Sequence, residues 1–172
     1  PVTWTRLKQP EVSKVGRLSV IKLYRLAPIA VAGAVLSGLA MGAFWGMGAV
    51  WAGRIGLDSN GVATFMSCAI LGGALFQYPL GRYSDTHDRR KVLAVAAAIA
   101  GVAALVLLAL SGFDNLVLIA GALYGGLAFA IYPLAVAHMM DHLQPEDVLA
   151  GGSGLLFLHG IGAAVGLSLI HI

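Results

Sequence analysis

Long apolar stretches separated by short polar breaks dominate the chain. Five such stretches can be read from the sequence, at about 27–51, 60–81, 92–112, 115–137 and 148–170. A helix needs roughly 20 mostly apolar residues to cross a bilayer, and each stretch reaches that length. Apolar residues occur all round each predicted helix, whereas a membrane β-barrel would show alternating segments of about 10 residues. The pattern therefore predicts an all-α integral membrane protein with five transmembrane helices, preceded by a polar segment at 1–26.

Composition agrees with this prediction and excludes most other classes of protein. Hydrophobic residues make up 59% of the 172 positions and charged residues 11%, whereas a typical soluble domain carries about 25% charged residues. The single cysteine, Cys68, cannot form an internal disulfide. The sequence contains no metal, nucleotide or flavin motif, and in particular no G-x-x-x-x-G-K-S/T phosphate loop, so we predict no cofactor. The net charge of +3 requires no nucleic-acid partner, because anionic lipid headgroups account for basic residues near a membrane.

The distribution of charge predicts which ends of the helices face the cytoplasm. Of the 11 Lys and Arg residues, six lie in 1–26 and four between the second and third stretches, so ten fall on one side; Arg54 alone falls on the other. The positive-inside rule then places 1–26, 82–91 and 138–147 in the cytoplasm, and 52–59 and 112–114 outside. No Asp, Glu, Lys or Arg lies within an apolar stretch, so these helices lack the buried carboxylates that usually carry protons or cations.

Glycines at four-residue spacing predict close packing between helices. They are Gly38, Gly42 and Gly46 in the first stretch, Gly121 and Gly125 in the fourth, and Gly162 and Gly166 in the fifth. Small residues at this spacing let helix backbones approach each other in lipid. Packing within the chain is the expected use, and dimerisation is the alternative.

The segment between the second and third stretches carries the most informative motif. It reads Gly81-Arg82-Tyr83-Ser84-Asp85-Thr86-His87-Asp88-Arg89-Arg90-Lys91 and is predicted to be a tight loop. Gly81 would let the chain turn, and Asp85 would accept hydrogen bonds from a helix N-terminus. An ordinary basic loop is the alternative. The motif resembles the G-x-x-x-D-R-x-x-R-R/K loop of the major facilitator superfamily of secondary transporters, with departures at Thr86 and Asp88.

This resemblance covers about residues 1–166 and implies an architecture. The five helices would be helices 7 to 11 of a twelve-helix fold, with 1–26 as the central cytoplasmic linker and 27–172 as the transmembrane bundle. The other helices would belong to a longer chain, whose N-terminal half would be a partner of this bundle. Residues 167–172 depart from the family pattern and are expected not to be native coding sequence.

The resemblance also implies a function. The protein would be a non-enzymatic, multi-pass carrier in the bacterial cytoplasmic (inner) membrane that moves a small-molecule substrate by alternating access. Energy would come from a gradient, with protons as the candidate coupling ion, and the substrate and the direction of transport stay open. The gate loop would comprise Gly81, Arg82, Asp85, Arg89 and Arg90, and Asp85 would meet a helix of the opposite half.

Polar and aromatic residues within the stretches are candidates for the substrate path. They are Trp45, Tyr124, Tyr132 and His159. Tyr124 and Tyr132 are eight residues apart and so share a broad helical face. His159 lies near the middle of its stretch, where a polar group must find a partner or water. Plain packing between helices explains each residue equally well, and this alternative stays open.

Two other functions need consideration. A channel or a scaffold would also have this composition. The run Gly151-Gly152-Ser153-Gly154 matches the G-x-S-G pattern of intramembrane serine proteases, in which a histidine must activate the serine. His159 is about 240° around the same helix from Ser153, so it cannot act as that base.

Overall fold

The computed structural model describes residues 19–169, and this part of the chain is helical without any strand. Its α-helices are α1 (Val20–Leu26), α2 (Pro28–Arg54), α3 (Ser59–Thr86), α4 (Arg89–Ala109), α5 (Asp114–Met140) and α6 (Val148–Leu169), with a short 3₁₀ turn at Pro145–Asp147. Five helices in this range are long and apolar enough to cross a membrane. The predicted all-α membrane fold is therefore confirmed. The predicted linker residues 1–18 and the tail 170–172 lie outside the described residues.

Side-chain caps fix the start of three helices. The hydroxyl of Ser19 accepts a hydrogen bond from the backbone N–H of Lys22 at the start of α1. Asp58 does the same for Gly61 at the start of α3, at 2.7 Å. Asp88 accepts from the N–H groups of Arg90 and Lys91 at the start of α4. Each cap satisfies backbone donors that have no partner within the helix.

The segment 82–91 was wrongly predicted to be a loop. Helix α3 continues through Gly81, Arg82 and Asp85 to Thr86, so only His87 and Asp88 connect it to α4. The 28 residues of α3 extend about 42 Å, beyond the hydrocarbon core of about 30 Å. Helical hydrogen bonds continue into the polar headgroup region, whereas hydropathy detects only the apolar part of a helix. Gly81 makes no turn here, and a side chain at that position would meet open space.

Helix α5 lies at the centre of the bundle and packs against α2, α3 and α4. Its residues Ala130, Ile131 and Leu134 form one core with buried residues of α4, among them Leu93. At the opposite end, Val117 and Ala120 of α5 pack with residues of α2 and α3. Helix α6 packs mainly against α2. Both α3 and α5 run through an internal proline, Pro79 and Pro133 respectively.

Close packing within the chain is confirmed for six of the seven predicted glycines. Helices α2 and α6 approach so closely that an added Cβ on Gly38, Gly42, Gly162 or Gly166 would collide with the backbone of the facing helix. The same holds between α3 and α5 at Gly72 and Gly125. Gly121 instead accommodates the ring of Phe65, and Gly46 is exposed.

Ion pairs join three polar segments at one end of the bundle. Lys22 on α1 pairs with Asp147 at 3.4 Å, and Arg89 at the start of α4 pairs with Asp141 after α5 at 2.9 Å. Leu23 of α1 is fully buried in a core with residues of α2, α5 and α6. The segments that the charge distribution assigns to one side of the membrane therefore meet at one end.

Candidate functional site

A cavity opens between α2, α3, α5 and α6, away from the ends of the helices. Its volume is about 280 Å³, and the residues that line it are Ser37, Met41, Gln77, Phe129, Tyr132, Pro133 and His159. None of these residues is an Asp, Glu, Lys or Arg. The lining thus combines apolar walls with a few hydrogen-bonding groups, the usual composition of a small-molecule site.

Two polar atoms of this lining are buried without a partner. Within the described residues, Ser37 Oγ and His159 Nδ1 have no hydrogen-bond partner, and Ser37 is 0% exposed. The His159 ring lies against Tyr132, with 4.5 Å between ring centroids. An unsatisfied buried polar group costs about 1–3 kcal/mol. Both atoms therefore have unused hydrogen-bonding capacity beside the cavity.

A second cavity continues from the first along α2 and α6. It has a volume of about 410 Å³, and Met41, Trp45, Gly46, His159 and Ala163 are among its lining residues. Because Met41 and His159 line both cavities, the two form a continuous surface. Trp45 is 54% exposed and stacks on Phe129, with 6.1 Å between centroids.

Of the four predicted path residues, the structure brings three together. Trp45, Tyr132 and His159 line the two adjoining cavities. Tyr124 lies apart from them, in the aromatic cluster around Phe44, with 6.0 Å between these two rings. The eight-residue spacing places Tyr124 and Tyr132 on one helical face but two turns apart. Only the turn that carries Tyr132 reaches the cavity.

The predicted gate residues surround an ion-pair cluster at the polar end. Arg89 lies at its centre: its Nη2 is 2.8 Å from Asp85 Oδ1, and its Nε is 2.9 Å from Asp141 Oδ2. Arg82 donates to the hydroxyl of Tyr78, one turn earlier on α3. Arg90 is exposed. Because Asp85 and Asp141 belong to different helices, Arg89 ties the ends of α3, α4 and α5 together.

One functional acid near this cluster, the helix cap Asp88, was not identified from the sequence. Within the described residues, Asp88, not Asp85, accepts hydrogen bonds from a helix N-terminus. Asp85 instead lies in the last turn of α3 and faces Arg89. The position of Asp88 directly before Arg-Arg-Lys was the available signal, because Asp is a preferred capping residue. Asp141 was missed because its partner Arg89 is distant in the sequence.

The family model for the Major Facilitator Superfamily matches residues 28–172. The chain belongs to this superfamily. It is similar to the uncharacterized MFS-type transporter YcaD of Escherichia fergusonii and of Salmonella arizonae, each 25% identical over 170 residues. These matches cover 98% of this chain and 44% of each relative, so the chain spans less than half of their length. No solved structure matches it significantly.

Membership of the superfamily, together with the apolar helices, identifies a multi-pass membrane protein. Members of this superfamily are generally non-enzymatic. The hydroxyl of Ser153 donates to the carbonyl of Ala150 on its own helix, at 2.9 Å, as serines in packed helices commonly do. No group of His, Cys, Asp and Glu side chains within residues 19–169 could hold a metal ion.

Proposed function

We propose that the protein is a secondary active transporter that moves a small solute across the bacterial cytoplasmic membrane by alternating access. Membership of the superfamily supports transport in general. The observation that carries the specific proposal is the uncharged cavity between α2, α3, α5 and α6, with its two unpartnered polar atoms. The candidate path residues are Trp45, Tyr132 and His159, to which the geometry adds Ser37.

The character of the cavity favours an uncharged solute. No Asp, Glu, Lys or Arg lines either adjoining cavity, so nothing in this part of the molecule would neutralise a strong charge. Ser37 Oγ can donate or accept a hydrogen bond, and His159 Nδ1 can do either according to its tautomer. A small, partly apolar solute with at least one hydrogen-bonding group fits this lining.

The ion-pair cluster is proposed to be a cytoplasmic gate. In this proposal, α2–α6 are helices 7 to 11 of a twelve-helix transporter, and the end that contains Arg89 faces the cytoplasm. The two halves would rock about the central cavity. Asp85 would contact the opposite half in only one access state, while Arg89 and Asp141 keep its own half together.

Solute uptake by proteoliposomes tests the proposed function. Vesicles that contain the full-length transporter would be incubated with a low-molecular-mass extract of the host cells, with and without an imposed pH gradient. Their contents would then be analysed by mass spectrometry. We expect saturable accumulation of one solute class above protein-free vesicles. Accumulation that stops when the gradient is removed would identify protons as the coupling ion. Non-saturable flux would indicate a channel, and no flux of any solute would contradict transport.

A further inference from the structure

Pro133 breaks the hydrogen-bond pattern of α5 at the wall of the cavity. Proline has no N–H, so the carbonyl of Phe129, four residues earlier, loses its normal partner within the helix. Pro133 lies within the span Asn115–Met140. In a membrane such a carbonyl must find another donor, because lipid tails supply none.

Gln77 on the neighbouring helix provides that donor. Its Nε2 lies 3.4 Å from the carbonyl oxygen of Phe129. The hydrogen bond joins α3 to α5 at the position where α5 lacks its own.

Gln77 and Pro133 lie between the 280 Å³ cavity and the ion-pair cluster around Arg89. Gln77 and Pro133 line the 280 Å³ cavity together with His159. They also line a cavity of about 100 Å³ on the other side, with Asp85, Arg89 and Ala137. A change at this point of α5 therefore alters both cavities.

We propose that Gln77 is a positioning residue that replaces the donor Pro133 lacks and thereby clamps α3 to α5 between the solute cavity and the ion-pair cluster. Without the side-chain amide of Gln77, the Phe129 carbonyl has no hydrogen-bond donor, and α3 and α5 can separate at the end near Arg89. The local clamp is independent of the transported solute, whereas its coupling to transport rests on the proposed function.

A double-mutant cycle with Pro133→Ala tests this proposal. Alanine restores the N–H and thus the bond within α5, so Gln77 should no longer be needed. The reporter is Ala137→Cys in a Cys68→Ser background, labelled with N-ethylmaleimide in proteoliposomes. Gln77→Met, which keeps the length of the side chain but removes the donor, should raise the labelling rate about threefold, in keeping with the size of hydrogen bonds between membrane helices. In the Pro133→Ala background the same substitution should leave the rate unchanged.

A control and two contrary outcomes complete the test. Thr64→Val removes a hydroxyl that bonds within α3, and it should leave the labelling rate unchanged. Equal acceleration in both backgrounds would mean that Gln77 acts by packing alone, and no acceleration in either would mean that no clamp exists. If the Gln77→Met protein does not insert into the membrane, Gln77→Leu replaces it in the test, because leucine also lacks the donor. Because labelling needs no solute, failure of the clamp and failure of transport are separate results.

Discussion

Among single residues, the proposed solute site depends most on the two that carry unpartnered polar atoms in the cavity wall. The Nδ1 of His159 and the Oγ of Ser37 are buried and have no partner among residues 19–169. The sequence could predict His159, since a histidine in an apolar stretch stands out. It could not predict Ser37, because a serine among small residues normally bonds to its own helix, as Ser153 and Ser168 do here.

Substitution of His159 separates a polar role from packing. His159→Gln keeps a hydrogen-bonding group, so most of the solute accumulation should remain. His159→Leu fills the space without any polar group, and accumulation should fall roughly tenfold, the effect of losing one hydrogen bond in a buried site. Ser153→Ala, on the same helix but with its hydroxyl already satisfied, is the matched control. Normal accumulation by His159→Leu would reduce His159 to a packing residue.

The two acids around Arg89 should each contribute little to stability. Side chains of Asp85 and Asp141 are 61% and 49% exposed, and partly exposed ion pairs are worth about 0.2–1 kcal/mol. Asp141→Asn should therefore lower the melting temperature only slightly, whereas Arg89→Ala, which breaks both pairs, should lower it further. Thermal melts at low and high salt check this, because screening should shrink both effects. A salt-independent effect would contradict the electrostatic explanation.

At the scale of elements, hydropathy predicts which helices exist better than where they end. The apolar stretches and the glycine spacing depend on local sequence, so the five membrane helices and the close packing at most of the spaced glycines were predictable. The pairing of α2 with α6 was not, because it depends on how distant segments pack. The ends of the helices were not, because α3 and α4 extend into charged sequence through caps and ion pairs at Asp88 and Arg89. The Arg89–Asp141 pair and the Gln77–Phe129 bond depend on how distant segments pack.

A glycine substitution tests the contact between α2 and α6. A Cβ on Gly42 would collide with the carbonyl and Cα of Ala163, and overpacking of this kind typically costs about 1–3 kcal/mol. Gly42→Val should therefore lower the melting temperature markedly. Gly101→Val adds the same side chain on α4, where nothing lies within 4 Å, and should have little effect. Equal losses for both variants would show that valine itself, not the contact, is responsible.

At the scale of the whole molecule, the polar end of the bundle is predicted to face the cytoplasm. The prediction rests on the ten-to-one distribution of Lys and Arg and on the positive-inside rule. Single cysteines at Asp58 and at His142, in a Cys68→Ser background, should react with an impermeant maleimide from opposite sides of intact cells. Cysteine at position 58 should react from outside and at position 142 only after permeabilisation. The reverse pattern would overturn the orientation.

Alternating access to the cavity can be tested by measuring how readily a cysteine in its wall is labelled from each side of the membrane. Met41→Cys, at a half-buried position that lines both adjoining cavities, would be labelled in a Cys68→Ser background of the full-length transporter. An impermeant thiol reagent would be applied to sealed vesicles of each orientation, with and without Asp85→Asn. Asp85→Asn removes a contact that is proposed to exist only in the cytoplasm-closed state. We therefore expect faster labelling from the cytoplasmic side and slower labelling from the other side. Each 1 kcal/mol lost from the closed state changes the ratio of the two states about fivefold. Labelling that rises on both sides together, or that occurs from neither side, would contradict alternating access at this cavity.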